Sequence, residues 1–400
     1  MTTKSTSAVP TADWVDPAAM LTDPYPTYRR LLDESPVAWV PALNQYLVTS
    51  HEACRAVEAN QETFSANVTT GATAQMARAV GSQPMVNKDD PDHARERQPV
   101  NPTLRPGIMR AHWAPIFERN ARTHLALMRE QGPDRADLNR DYAAPVAAQN
   151  LIDLLGFHDV EVEVMRRWSN TFVEGIGNIF DDPETWRRCD DARAEVDARL
   201  EELVPYYRAH PDRSIISAFA NAGMPMTQIA ANVDLVISGG MNEPQHAITS
   251  TVWALDRHPE QRDHVLADPA LWPAVFDETV RWLSPIGYYP RETTRETVLE
   301  DVRLPARTMV GILVAAANRD TTVFESADEF DITRPRHPHL AFGAGVHLCA
   351  GHWAARIGIG EIAVPILYAE LPGLHVDSRR DEAWFGWVFR GLTALPVAWN

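Results

Sequence analysis

Apolar positions recur every three or four residues through most of the central chain. Residues 115–131, 159–174, 192–210 and 226–255 show the clearest helical spacing. The last run is unusually long, and Gly239, Gly240 and Pro244 are its only strong breakers. The beginning is mixed. Residues 24–32 read as a helix, 37–40 and 45–49 as a hairpin around Pro41 and Asn44, and 51–60 as a second helix. A further β region covers 298–302 and 308–315. A turn-rich stretch, 318–345, then leads to a helix over 350–371, and the tail 384–399 reads as a hairpin. Residues 1–12 are rich in Ser, Thr and Pro and read as a disordered tail. No internal repeat and no low-complexity linker divides the rest. The pattern predicts one domain over 13–400, mainly α with small β-sheets (α+β), its long helix crossing the core.

Composition narrows the function. The chain has 400 residues, with 37 Lys+Arg against 54 Asp+Glu and a formal charge of −17. So acidic a surface argues against nucleic acid or anionic membrane as a partner. A hydrophobic content of 45% with 23% charged residues is that of a packed domain. No apolar run is long enough to span a bilayer, and Met1-Thr-Thr-Lys-Ser-Thr-Ser lacks the apolar core of a secretory signal, so a cytoplasmic location is expected. Three cysteines, Cys54, Cys189 and Cys349, cannot all pair, which fits a reducing compartment.

The candidate chemistry lies in Phe342-Gly-Ala-Gly-Val-His-Leu-Cys-Ala-Gly351. Gly343 and Gly345 permit a tight, irregular loop. Cys349 falls at the start of the last helix, where free N–H groups stabilise a thiolate. The residues alone leave two readings: a structural cysteine beside a glycine turn, or a thiolate that binds a metal through one sulfur. A phosphate loop lacks its Lys-Ser/Thr, and a zinc site lacks a second spaced pair despite His337, His339, His347 and His352 nearby.

This segment resembles the haem-binding signature of the cytochrome P-450 haem-thiolate monooxygenases, Phe-Gly-x-Gly-x-His-x-Cys-x-Gly. Three more segments follow the family's order. Glu278-Thr-Val-Arg281 is similar to its Glu-x-x-Arg, residues 324–334 and 338–342 to its meander, and His93-Ala-Arg-Glu-Arg97 to its His-x-x-x-Arg. The resemblance spans residues 15–400 and points to the soluble bacterial class. It implies the cytochrome P-450 fold, a triangular helical domain with the long central helix over the haem. The cofactor is then haem b (protoporphyrin IX iron) with Cys349 as its ligand, and Phe342, Gly343 and Gly351 shape the loop around it. His93, Arg97, Arg291 and His347 match family positions that hydrogen-bond the haem propionates. Buried carboxylates require such donors. Glu278 and Arg281, with Arg334 as third member, are expected to form a buried structural pair.

The long helix departs from the family. Where Ala/Gly-Gly-x-Asp/Glu-Thr is usual, this chain has Gly240-Met-Asn-Glu243-Pro244. The acid remains and proline replaces the alcohol. Proline removes the N–H that would bond the Gly240 carbonyl, so the helix is expected to open there. Glu243, with water, becomes the expected proton donor, and Glu243 and Pro244 are the catalytic positions.

Glu-Pro together with the tail Trp384-Phe-Gly-Trp-Val-Phe-Arg-Gly-Leu-Thr resembles a narrower group, the bacterial aryl O-demethylases of guaiacol. That likeness implies oxidative demethylation of guaiacol or 4-alkylguaiacols to catechols and formaldehyde, using O2. Leu235, Gly239 and Glu243 share one helical stripe. Phe172 and Phe389 match the group's pocket positions and are expected to sandwich the ring; Val80, Val86 and Ile286 complete the expected pocket. Val80, smaller than the aromatic expected there, would admit an alkyl group. The chain carries no flavin or iron–sulfur motif. Electrons from NAD(P)H would come through a separate reductase holding FAD and an iron–sulfur cluster, docked near Cys349 with help from Arg356 and His352. Competing readings are a hydroxylase of another small apolar molecule, a haem-thiolate binding protein without oxygenase activity, and a peroxide-driven enzyme.

Overall fold

The computed structural model of the protein describes residues 9–68, 71–178 and 180–400. Its largest sheet takes strands from distant parts of the chain. Their order is Val37–Val40, Gln45–Val48, Met309–Ile312, Tyr289–Thr293 and Phe64–Ser65. The first pair is the expected hairpin, with Trp39 opposite Tyr46. Gln45–Val48 then runs parallel to Met309–Ile312, which pairs antiparallel with Tyr289–Thr293 and sets Arg291 opposite Val310. Residues 10–12 extend this sheet: Trp39 N–H donates to the Pro10 carbonyl and Ala12 N–H to the Trp39 carbonyl, each at 2.8 Å. They are therefore ordered, unlike the expected tail, whose first eight residues lie outside the described residues.

The expected strand over 298–302 is instead the heart of a hairpin. Thr297–Leu299 pairs with Val302–Leu304, and Glu300 and Asp301 take left-handed φ values of 47° and 63° between them. Two such residues in succession make the tight turn that matches strand twist. In the tail, Ala383–Phe385 pairs with Gly391–Ala394, while Val397–Ala398 pairs with His375–Val376.

Helices fill the rest. Met226–Arg257 runs 32 residues without a break, straight through Pro244. The helix therefore does not break at that proline. Packing explains it: Ile229, Val233, Ile237 and Met241 join a core of Leu151, Trp168 and Phe219, while Ile248, Val252 and Leu255 join Leu125, Tyr142 and Phe276. Burial on both sides of the proline outweighs its helix cost of about 3 kcal/mol. The helix expected from residue 192 starts earlier, as Pro183–Ala209, with the Asp182 carboxylate capping Thr185 N–H. The last helix is uneven. His352–Ala355 leads into a wide-turned stretch, Arg356–Ala363, before Val364–Glu370.

One buried ionic cluster ties the Trp272–Trp282 helix to the loop before the glycine segment. Arg281 grips Glu278 through two hydrogen bonds of 2.7 Å, with both side chains at most 6% exposed. Arg334 Nε lies 3.2 Å from the same carboxylate, and Asp331 N–H donates to it at 2.9 Å. Arg281 also donates to the carbonyls of Asn318, Ala327 and Glu329, so every buried charge is answered. Glu278→Gln would strand two buried guanidinium groups, at a cost of about 3–5 kcal/mol. Urea unfolding of the variant measures this; a loss below about 1 kcal/mol, as for an exposed pair, would contradict it.

Candidate active site

Cys349 is held by its own loop. Its N–H donates to the Phe342 carbonyl at 2.8 Å, closing the segment. Gly343 and Gly345 have φ of 67° and 63°, the left-handed region that glycine enters without strain. They pack against protein: a Cβ on Gly345 would stand 2.4 Å from the Glu58 carbonyl oxygen, and one on Gly343 would stand 3.0 Å from Glu58 Oε1. The Phe342 ring lies 4.6 Å under the Arg356 guanidinium, and Arg356 Nε is paired with Asp277 at 3.0 Å. Arg356 thus braces the loop rather than standing free for a docking partner.

Cys349 carries accessible surface, yet burial pushes its thiol above the usual range. Both hold because the open face is internal. Gly351 N–H and the Arg97 guanidinium pull the thiol back down, while Glu243 on the long helix raises it. Val346 and Leu348, each 39% exposed, flank the sulfur with apolar surface. Opposite, Gly239 is exposed in mid-helix, and a Cβ there would meet nothing within 4 Å. Leu235 and Glu243 on its stripe are only half-buried, whereas Val233, Ile237 and Met241 are sealed.

Nitrogen donors gather at one edge of this slot. Arg291 is buried, and its only hydrogen bond among the described residues runs to the neighbouring Pro290 carbonyl at 2.8 Å. Arg97 donates to the Leu348 carbonyl at 2.6 Å and to Asn101 at 3.1 Å. Among the described residues neither arginine has a carboxylate within ion-pair distance, on a chain rich in carboxylates. His93 and His347 lie with ring centres 4.2 Å apart, and Asp90 fixes His93 Nδ1 at 3.0 Å. His347 Nε2 is buried without a partner among the described residues. Burial first, then Arg291, His93 and Arg97, push His347 down to about 3, so it is a neutral imidazole.

These residues fit haem b. Unpaired buried donors call for anionic acceptors, here two propionates. Exposed Val346 and Leu348 call for a flat apolar cover, and the lone Cys349 thiol could ligate its iron. On the roof, Glu243 Oε2 is buried and unpartnered. Burial raises Glu243 to about 8, only partly offset by its own backbone and by Asn242. The group therefore holds its proton at neutral pH.

The expected pocket residues divide. Val86, Leu235, Gly239, Ile286 and Phe389 keep open surface, and Ile286 and Phe389 bridge their two segments. Val80 is 2% exposed and Phe172 0%, and Phe172 is packed into the core. A residue that touches a ligand in a largely pre-formed pocket needs open surface. The Phe172–Phe389 sandwich and the direct role of Val80 are therefore not what the structure holds. Phe389 instead packs against a small cluster of Ala79, Ile176 and Cys189. Sequence reasoning missed Glu58 and Tyr289 beneath the glycine loop; no linear spacing joins residues so far apart in the chain.

Comparison with known proteins identifies the family. Residues 245–366 match the family model described as cytochrome P-450. The chain is 31% identical over 329 residues to cytochrome P-450 107B1 of Saccharopolyspora erythraea, covering 78% of this chain and 76% of the relative. It is 30% identical over 339 residues to the methyl-branched lipid omega-hydroxylase of Mycobacterium tuberculosis, covering 82% and 77%. The crystal structure of CalO2 superposes with a TM-score of 0.85 at 28% identity, covering 94% of this chain and 96% of that one. The chain belongs to the cytochrome P-450 family. It has that family's fold, its haem b cofactor and its monooxygenase class, with O2 as co-substrate and electrons from a separate redox partner. No helix among the described residues is long and apolar enough to cross a membrane.

The protonated Glu243 is open to direct measurement. Infrared difference spectra across a pH titration are expected to show a carboxyl stretch lost with a midpoint near 8. Glu243→Gln should lack that band. A carboxylate already ionised at pH 6 would contradict the assignment.

Proposed function

We propose that this monooxygenase O-demethylates small neutral methoxyphenols, guaiacol or 4-alkylguaiacols, to catechols and formaldehyde. The observation that carries the reading is the open slot at Gly239, faced by Leu235, Val86, Ile286 and Phe389. Leu235 offers apolar surface beside it, and Glu243, on the same helical stripe, is held neutral. A flat uncharged ring suits such a slot. A benzoate would meet no cation there.

Haem b, when bound, supplies the activation of dioxygen. The side chains do the rest. Cys349 would ligate the iron, and Arg97, Arg291, His93 and His347 would hold the propionates through the donors just described. Leu235, Ile286 and Phe389 orient the ring so that its methoxy carbon faces the iron. Glu243 Oε2 keeps a proton where the usual helix alcohol is replaced by Pro244, and delivers it as acid. In balance, methoxyarene, O2, NAD(P)H and a proton give phenol, formaldehyde, water and NAD(P)+. The methoxy carbon gains a hydroxyl, and the resulting hemiacetal breaks its C–O bond. The electrons enter through a reductase carrying FAD and an iron–sulfur cluster.

A second reading is favoured by the relatives' names, which include a lipid omega-hydroxylase and a steroid C26-monooxygenase. On that reading the product is an alcohol retained on the substrate. A panel of methoxyarenes scored by low-to-high-spin Soret shift, with formaldehyde assayed for each hit, separates the two. Stoichiometric formaldehyde supports demethylation; turnover without it leaves hydroxylation. Gly239→Phe should fill the slot and weaken methoxyarene binding at least tenfold while haem is retained. Unchanged binding would place the substrate elsewhere.

A further inference from the structure

Glu58 ends the His51–Glu58 helix, far in sequence from every residue of the haem site. It is 5% exposed, and its Oε2 has no partner among the described residues. Its other oxygen, Oε1, accepts from the Tyr289 hydroxyl. Ala344 N–H also reaches this carboxylate. Gly343 and Gly345, on either side of Ala344, are fitted so closely to Glu58 that a Cβ on either would crowd it.

Tyr289 belongs to the strand Tyr289–Thr293, in which residues two apart share a face. Arg291 is the next residue on that face. Its guanidinium lies 5.2 Å over the Tyr289 ring. Carboxyl, phenol and guanidinium thus form a connected chain, the carboxyl at the phenol hydroxyl and the guanidinium over its ring. One end of the chain grips the arch of the cysteine loop, and the other supports the arginine assigned to a propionate.

We propose that Glu58 is a positioning residue for the haem: it locks the loop that presents Cys349 to the strand that presents Arg291. A site that binds one rigid group at two places needs the two places fixed relative to each other. Glu58 is the joint that fixes them. Its loss should loosen thiolate and propionate holds together, though it touches neither group. The inference rests on the haem-thiolate family and not on demethylation, so it stands or falls separately from the substrate reading.

The test is haem transfer from the holoenzyme to excess apomyoglobin, with the reduced CO complex recorded in parallel. Three variants are compared with the unaltered chain: Glu58→Ala, Glu58→Gln and Tyr289→Phe. Glu58→Ala is expected to release haem at least tenfold faster and to convert part of its CO band from the thiolate to the thiol position. Glu58→Gln, which keeps an acceptor oxygen for Tyr289, should restore both to within about threefold of the original. Tyr289→Phe removes only the hydroxyl and should lie between. If Glu58→Ala does not fold, Tyr289→Phe alone decides: release faster than threefold supports the joint. Release and band unchanged in every variant that folds would overturn the proposal, and so would equal damage from Glu58→Gln and Glu58→Ala.

Discussion

Everything in this fold is arranged around one sulfur, that of Cys349, which Gly351 N–H alone supports from its own loop. A thiol at the open start of a helix is easily deprotonated, but burial resists the charge. The structure sets both tendencies against each other at Cys349, whose thiol is raised by burial and lowered by Gly351 N–H and Arg97. A metal cation resolves the conflict, since coordination stabilises the thiolate outright. The unpaired donors at the slot's edge are a second unresolved demand of the same kind. Buried Arg291 has no carboxylate partner among the described residues, and His347 Nε2 is buried there without a hydrogen bond. Haem b answers both at once.

The rest of the molecule keeps these demands in register. The Glu278–Arg281–Arg334 cluster anchors the segment that precedes the glycine loop. Arg356, paired with Asp277 and laid over Phe342, anchors its far side. The long helix forms the opposite wall, and its stability comes from two separate cores rather than from its own propensity. That is why it can carry a glycine pair, a buried acid and a proline in adjacent turns and remain one helix.

How much of this was readable in the chain follows from sequence distance. The cysteine loop lies within ten consecutive residues, and its glycines have a local conformational reason, so it was legible. Glu278 and Arg281 are neighbours on one helical turn, and Arg334 as third member agrees with the structure. The long helix was legible from its period alone. What escaped were outcomes of packing. Phe172 matched a pocket position by likeness, but burial seals it, and no linear signal reports exposure. The wide turn at Arg356–Ala363 is set where Gly358 closes on Phe117 and Gly360 on Phe276, contacts that span much of the chain. The early start at Pro183 was a missed signal: Asp followed by Pro is a readable helix entry. The hairpin at Glu300 and Asp301 was missed because neither residue is glycine, yet both adopt left-handed backbone.

The most direct measurement is the spectrum of the purified chain, produced with ample haem supply, reduced and exposed to carbon monoxide. The account predicts the red-shifted Soret band of a thiolate-ligated haem, and its disappearance in Cys349→His. A colourless protein, or a variant that keeps the shifted band, would contradict it.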